Sequence, residues 1–335
     1  MCFLGFGLIT RFFTTTFVGN ETDFFAFYAG ARLAGTPNLY SQHAIWAAQT
    51  AATGHYSPGL LFIRLPCFAL FLWPLAQLPY EAARYLWAAL QCGLIAAAVW
   101  LWPGSRKIAA IVTCWSFPIL TCLAFGTDTA MIFFWLACWR RLESKGYPIW
   151  AGLALALCIA KFHFFLLLPW LLIRHRRWLI LQGLSLGLII LGLLSSLTAG
   201  WAWPLAYLHV LTSPAITNQS RLVMPNIHGF AQPGWEFPLV LLTLILTIWA
   251  VHKCTYTDGF IVVSLGSFLC SYHAYVHDGV ILLPVLILIL EKISYTAGVP
   301  LYNTSRRSRF VFEMAVCLAV LLVTPFPWVA LMLRH

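Results

Sequence analysis

The feature that constrains this chain most is its run of apolar segments, many approaching the length that a bilayer is thick and most separated by only a few polar residues. A membrane-crossing helix needs about 20 apolar residues. Segments that approach this pattern lie at 2–18, 59–78, 82–102, 108–124, 128–142, 148–160, 162–173, 178–198, 236–252, 258–270, 272–290 and 310–333. Of the 335 residues, 61% are hydrophobic and 9% are charged. A soluble domain carries roughly a quarter charged residues, and one of this size could not bury so much apolar surface. The composition therefore excludes a soluble enzyme, a disordered chain and a nucleic-acid binder. The apolar runs are continuous rather than alternating, which argues against a membrane β-barrel. The expected fold class is an all-α, multi-pass integral membrane protein with about 11 transmembrane helices.

Net charge is +10, from 20 basic and 10 acidic residues. The basic residues cluster between apolar runs, at Arg106-Lys107, Arg140-Arg141, Arg174 to Arg177 and Arg306 to Arg309. That is the pattern of cytoplasmic loops. Placing 103–107, 140–146, 174–178 and 252–253 inside puts Asp128, Lys161, the 199–235 loop and His273 to Asp278 outside. The 19–58 loop has Arg32 as its single Lys or Arg, which places it outside as well. The stretch 59–107 should then cross an odd number of times, yet it holds two apolar runs, so one of them is expected to be re-entrant or 103–107 lies outside. Residues 2–18 read as a retained first helix: Arg11 interrupts the run and no small-residue cleavage site follows. The ten cysteines are scattered and contain no C-x-x-C, so they read as small buried hydrophobes.

Two polar segments are too long for turns. In 19–58, Phe24, Phe27, Tyr28 and Ala31 follow a helical spacing, and Ser41 can cap a second helix that carries Ile45 and Trp46. Both are expected to be amphipathic helices on the membrane surface of a first outer loop. The second segment, 199–235, holds Trp201, Trp203, Asn218, Gln219, Arg221, Asn226 and His228. Together with the spans they form a single membrane domain over 1–335.

Acidic residues are scarce enough to weigh singly. Glu81, Glu143, Asp258 and Glu291 sit at span ends or beside cations, and Glu236 opens a span. Asp128, in Gly126-Thr127-Asp128-Thr129, is either a helix cap or a site residue. Asp23 stands where the first span meets a surface helix, among aromatics. It is either a helix cap or a carboxylate placed to act as a general base. Lys161, between two apolar runs, is either a snorkelling lysine or an intramembrane cation with a function. In Tyr272-His273-Ala274-Tyr275-Val276-His277-Asp278, two histidines four apart precede an aspartate. That cluster suits a metal, a phosphate or simply a polar interface.

In order along the chain, Asp23-Phe24 to Tyr28 with Ala31-Arg32, Gly35 and Leu39-Tyr40; Tyr56-Ser57-Pro58; Trp73-Pro74-Leu75-Ala76 with Leu78-Pro79; Gly126-Thr127-Asp128; Ala151-Gly152-Leu153 through Lys161; Asn218-Gln219-Ser220; and His277-Asp278 with Leu282-Leu283-Pro284 together resemble the GT-C membrane glycosyltransferases. The narrower resemblance is to the GT87 (DUF2029) family, which includes polyprenyl-phosphate-mannose-dependent α-mannosyltransferases. Departures are Tyr-Ser-Pro for the family's Tyr-Pro-Pro, Thr127 for its usual Gln, and Phe162 for the common Pro after Lys161. The resemblance implies a GT-C-type fold and transfer of a hexose, mannose first, from a polyprenyl-phosphate sugar to a lipid or glycan acceptor. The reaction would run at the outer face of a bacterial inner or plasma membrane, with inversion. It implies Asp23 as the general base. Lys161, His277 and Arg221 would face the donor phosphate, Asn218 and Gln219 the sugar hydroxyls, and Tyr28, Asp128 and Asp278 complete the donor-binding set. No cofactor, metal or nucleic-acid partner is implied. A lipid-linked sugar flippase or transporter, and a non-catalytic membrane subunit of glycan assembly, are the competing readings.

Overall fold

A computed structural model describes residues 22–217, 224–232 and 234–296. The expected spans 2–18 and 310–333, and the candidates Asn218, Gln219 and Arg221, lie outside the described residues. All regular structure among the described residues is helical. The helices are α1 Asp23–Arg32, α2 Gln42–Thr53, α3 Pro66–Ala76, α4 Tyr80–Leu101, α5 Arg106–Cys114, α6 Phe117–Phe125, α7 Thr129–Ser144, α8 Pro148–Ala156, α9 Leu168–Arg174, α10 Trp178–Ala199, α11 Trp203–Leu211, α12 Pro214–Thr217, α13 Ile227–Phe230, α14 Glu236–Lys253, α15 Tyr256–Cys270 and α16 Leu283–Thr296. Two 3-10 segments, Leu157–Phe164 and Val276–Leu282, follow α8 and precede α16.

Among the described residues three helices are long and apolar enough to cross a membrane: α4 and α10, with 22 residues each, and α14, with 18. At 1.5 Å per residue, 22 residues cover about 33 Å, a bilayer's hydrocarbon thickness. The expected span 108–124 is instead the pair α5 and α6, bent by 63°, which raises the number to four if it counts as one. The expected span 59–78 divides into an extended segment that ends at Pro66 and the 11-residue α3. The proline cannot donate a ladder hydrogen bond and fixes the first turn instead. The 148–173 region breaks into α8, a 3-10 stretch and α9. These helices support an all-α, membrane-type architecture; among the described residues three or four helices have the length and apolarity of full spans, and the expected number of about 11 is not reached there.

The described residues cluster into two compact units. The first gathers those of Met1–Gly93, Thr121–Asp128 and Leu188–Gln219. Its centre is α1. Phe24 through Ala31 are all buried, so this helix is enclosed by protein and is not the amphipathic surface helix expected from its spacing. The reason is in the sequence: Phe25, Ala26 and Ala29 are as apolar as the predicted face, leaving charged groups only at its two ends. Phe24 stacks on Trp87 at 5.7 Å, and Phe27 meets Phe68 edge-on at 5.3 Å. Gly30 is required here, because a Cβ would lie 2.2 Å from the Phe62 ring. Tyr28 and Arg32 tie α1 to the end of α3 through the carbonyls of Leu78 (2.8 Å) and Ala76 (3.0 Å). In α2 the expected Ser41 cap is present: Ser41 Oγ accepts from Ala44 N, and of the helix only Ile45 and Gln49 are buried. Buried Gln49 pins the extended segment by accepting from Ser57 N and donating to Leu60 O.

The second unit holds the described residues of Leu94–Leu120, Thr129–Gly187 and Ser220–His335. Here α7 packs on α8 and α14 on α15. Gly152 and Gly183 let α8 and α10 touch backbone to backbone, since a Cβ on either would lie 2.1 Å from a carbonyl oxygen of the other helix. Small residues at such crossings let helices associate without a hydrophobic drive from water.

Candidate functional site

In the first unit Asp23 opens α1 after Thr22, whose backbone is extended. A carboxylate at a helix N-terminus is favoured by the exposed N–H groups. Asp23 is half-buried, and the eight residues after it are buried. One turn on, the Phe27 ring carries the Arg64 guanidinium at 5.3 Å from its centroid. Arg64 is buried in the extended segment before α3, and it forms a bidentate pair with Asp128: Nε donates to Oδ2 at 2.5 Å and Nη2 to Oδ1 at 3.0 Å. Its Nη1 donates to Ile63 O at 3.1 Å. Arg64 also attracts Asp23 electrostatically.

The Gly126-Thr127-Asp128 stretch explains how Asp128 reaches that pair. Gly126 has φ +63° and ends α6, and Thr127 N reaches back to Cys122 O at 3.1 Å. This is a left-handed helix terminator closed by a long backward hydrogen bond. Two side chains from α4 then grip the turn. Trp87 Nε1 donates to Gly126 O at 2.8 Å, and buried Gln91 donates to Thr127 O. Asp128 emerges fully buried, with its charge answered by Arg64. Tyr40 Oη donates to Arg64 O at 2.7 Å, and its ring lies 5.6 Å from that of Tyr207. Tyr28, implied as a donor-binding residue, is buried and donates its hydroxyl to Leu78 O, a fold-holding bond.

In the second unit the chain leaves helical geometry at Lys161, with φ −129° and ψ 55°. The break turns the lysine inward. Lys161 is buried, and its Nζ donates to Oδ1 of Asp278, itself fully buried. His277 Nε2 stands 3.8 Å from the same oxygen. The other oxygen, Oδ2, accepts from Tyr275 N at 2.8 Å and so caps the 3-10 segment. Three implied donor-binding residues, Lys161, His277 and Asp278, thus converge. His273 does not join them through this carboxylate; its ring lies 4.7 Å from Tyr275. Nearby, Asn226 donates to Ser271 O at 2.6 Å, and His228 pairs with Glu236. Among the described residues no group of three His, Cys, Asp or Glu side chains is arranged to hold a metal ion.

Sequence reasoning missed Arg64. The signal was present: it is a single cation between Ile63 and Leu65, away from every basic cluster. A lone arginine in an apolar run needs a partner, and Asp128 is the acid that supplies it.

No curated protein and no solved structure matches the chain. The family model of glycosyltransferase family 87 matches residues 62–272, a range that includes Arg64, Asp128 and Lys161. Covering well over half of an all-helical, membrane-type chain, that match makes the protein a member of glycosyltransferase family 87.

Proposed function

We propose that this glycosyltransferase moves a hexose, mannose first among the candidates, from a polyprenyl-phosphate sugar to a lipid or glycan acceptor at the outer face of the membrane. The observation that carries the reading is the family match on a chain whose long helices present apolar faces, such as Leu241, Leu242, Ile245 and Leu246 of α14. A donor with a polyprenyl tail dissolves in the same hydrocarbon that those faces suit. Asp23 takes the proton of the acceptor hydroxyl. The freed oxygen attacks the anomeric carbon, the bond from that carbon to the phosphate oxygen breaks, and polyprenyl phosphate leaves with the bonding pair. Attack from the side opposite the phosphate inverts the centre. Lys161, with His277 and Arg221, is assigned to the leaving phosphate, where cationic donors stabilise growing charge. Asn218 and Gln219 are assigned to the sugar hydroxyls.

The test uses membranes containing the full chain, supplied with radiolabelled polyprenyl-phosphate mannose. The wild type is expected to yield a labelled lipid or glycan product. Asp23→Asn is expected to lower turnover by at least about 100-fold, the scale of a lost general base, with unchanged abundance in the membrane. Turnover retained in Asp23→Asn would remove Asp23 as the base, and labelling from a nucleotide sugar alone would remove the lipid-linked donor.

A further inference from the structure

One exposed face of α14 runs into charge at its end. Leu242, Ile245, Leu246 and Trp249 are all exposed, and steps of three and four residues set them on one face of the helix. The same steps carry that face on to His252 and Lys253 at the end of the helix, both exposed. The end of α9 is fastened to this point. Arg174 donates from Nε to His252 Nδ1 at 2.9 Å and from Nη2 to His252 O at 3.2 Å. The Trp170 ring meets the His252 ring edge-on at 5.5 Å. A ring nitrogen that accepts a hydrogen bond belongs to a neutral imidazole. The guanidinium is therefore held in place while its charge stays uncompensated.

Arg176 stands in the turn after α9 with φ +55°. Its N donates to Ile173 O at 3.1 Å, and Arg177 N donates to Leu172 O at 2.8 Å. These are the paired bonds of a helix terminator whose left-handed residue is usually glycine. An exposed arginine keeps that place at a cost in backbone strain. Among the described residues no carboxylate forms an ion pair with Arg174, Arg176 or Lys253. Asp258, five residues after Lys253, is matched to Lys292 at 2.8 Å. Glu143 is matched to Arg140 at 3.4 Å and to Arg177 at 4.0 Å.

We propose that the ends of α9 and α14 form a binding site for an anionic glycerophospholipid, with its phosphate on Arg174, Arg176 and Lys253 and its acyl chains along the stripe from Leu242 to Trp249. The occupant follows from the order of chemistry along α14: an uninterrupted apolar face, an aromatic ring at its edge, then cations without counter-ions. That is the order of a lipid from tail to headgroup, and clustered cations at a membrane surface attract anionic lipids. A soluble phosphate has the charge but no use for the stripe. The site lies about 27 Å along the helix from Glu236, and it rests neither on the assigned donor nor on the assigned base.

The experiment uses the full chain, purified in detergent and freed of bound lipid. Phosphatidylglycerol, phosphatidylcholine, polyprenyl phosphate and inorganic phosphate are titrated separately, with bound lipid counted by native mass spectrometry and the melting temperature followed in parallel. Phosphatidylglycerol is expected to bind in preference to phosphatidylcholine. Arg176→Gly with Lys253→Gln is expected to weaken that binding about 30-fold, from about fivefold for each cation near an anionic headgroup. The lipid-free melting temperature is expected not to fall, because glycine suits the left-handed turn. Should that variant fail to accumulate, Lys253→Gln alone decides, with a loss of about fivefold. Arg106→Gln with Lys107→Gln removes the same charge at the start of α5 and is expected to leave binding unchanged. Equal binding of phosphatidylcholine, wild-type affinity in the altered site, or an equal loss in the α5 variant overturns the proposal. So does tighter binding of polyprenyl phosphate, or an equal rise in melting temperature with inorganic phosphate alone.

Discussion

At the scale of single residues, the protein buries a few charges whose partners are far away in sequence. Asp128 answers Arg64 across 64 positions, and Asp278 answers Lys161 across 117. Breaking such a pair from one side costs more than deleting both members. Lys161→Met is therefore expected to destabilise the protein by about 3 kcal/mol or more, because Asp278 stays buried without its cation. The double variant Lys161→Met with Asp278→Leu should recover part of that loss. Thermal unfolding in detergent, read by exposure of buried thiols, distinguishes the two; a double variant less stable than the single would contradict the pairing. If the proposed donor is the substrate, Lys161→Ala should also weaken use of the lipid-phosphate sugar, seen as a rise in its KM. The candidates themselves were legible in the sequence, because rare charges in an apolar chain stand out. Which charge meets which was not, since nothing in local spacing joins Arg64 to Asp128. The role of Asp278 as both counter-ion and cap of its own 3-10 segment was equally out of reach.

At the scale of elements, hydropathy placed the long helices well. The expected runs 82–102, 178–198 and 236–252 correspond to Tyr80–Leu101, Trp178–Ala199 and Glu236–Lys253. The Ser41 cap was also readable, since it depends on one side chain and a backbone N–H three residues on. Hydropathy failed where an apolar run is not one helix. It is blind to the extended segment before Pro66, to the bend between α5 and α6 and to the break at Lys161. It also could not tell a helix enclosed by protein from one lying on a membrane, as α1 shows. Helix crossings carry their own prediction. Gly152→Leu is expected to destabilise by about 1–3 kcal/mol, the cost of forcing apart an occupied contact, because a Cβ there would lie 2.1–2.8 Å from backbone atoms of α10. Gly192→Leu, on the same α10 but with open space around it, should leave the melting temperature nearly unchanged. Equal losses from both substitutions would sink the argument.

At the scale of the whole molecule, the basic ends of the helices predict an orientation that can be measured. In a cysteine-free background, Lys145→Cys is expected to react with a membrane-impermeant maleimide only after the cells are opened. Ala202→Cys is expected to react in intact spheroplasts. Both positions are exposed in the fold, so access to the reagent and not burial decides the result. The opposite pattern would invert the orientation that the positive-inside rule assigns. The helices also differ in how much they are enclosed. Only 17% of the spanning window of α14 is buried within the protein, whereas α1 is buried along its length. Sequence drift should therefore run at two speeds in this chain. In a saturation library, α14 should accept exchanges among Leu, Ile, Val and Phe freely and reject only charge, because an oily solvent asks for hydropathy and not for shape. The short helix behind Asp23 should reject both, so that tolerance mapped onto the chain would separate the lipid-facing shell from the enclosed aromatic wall on which the proposed base stands.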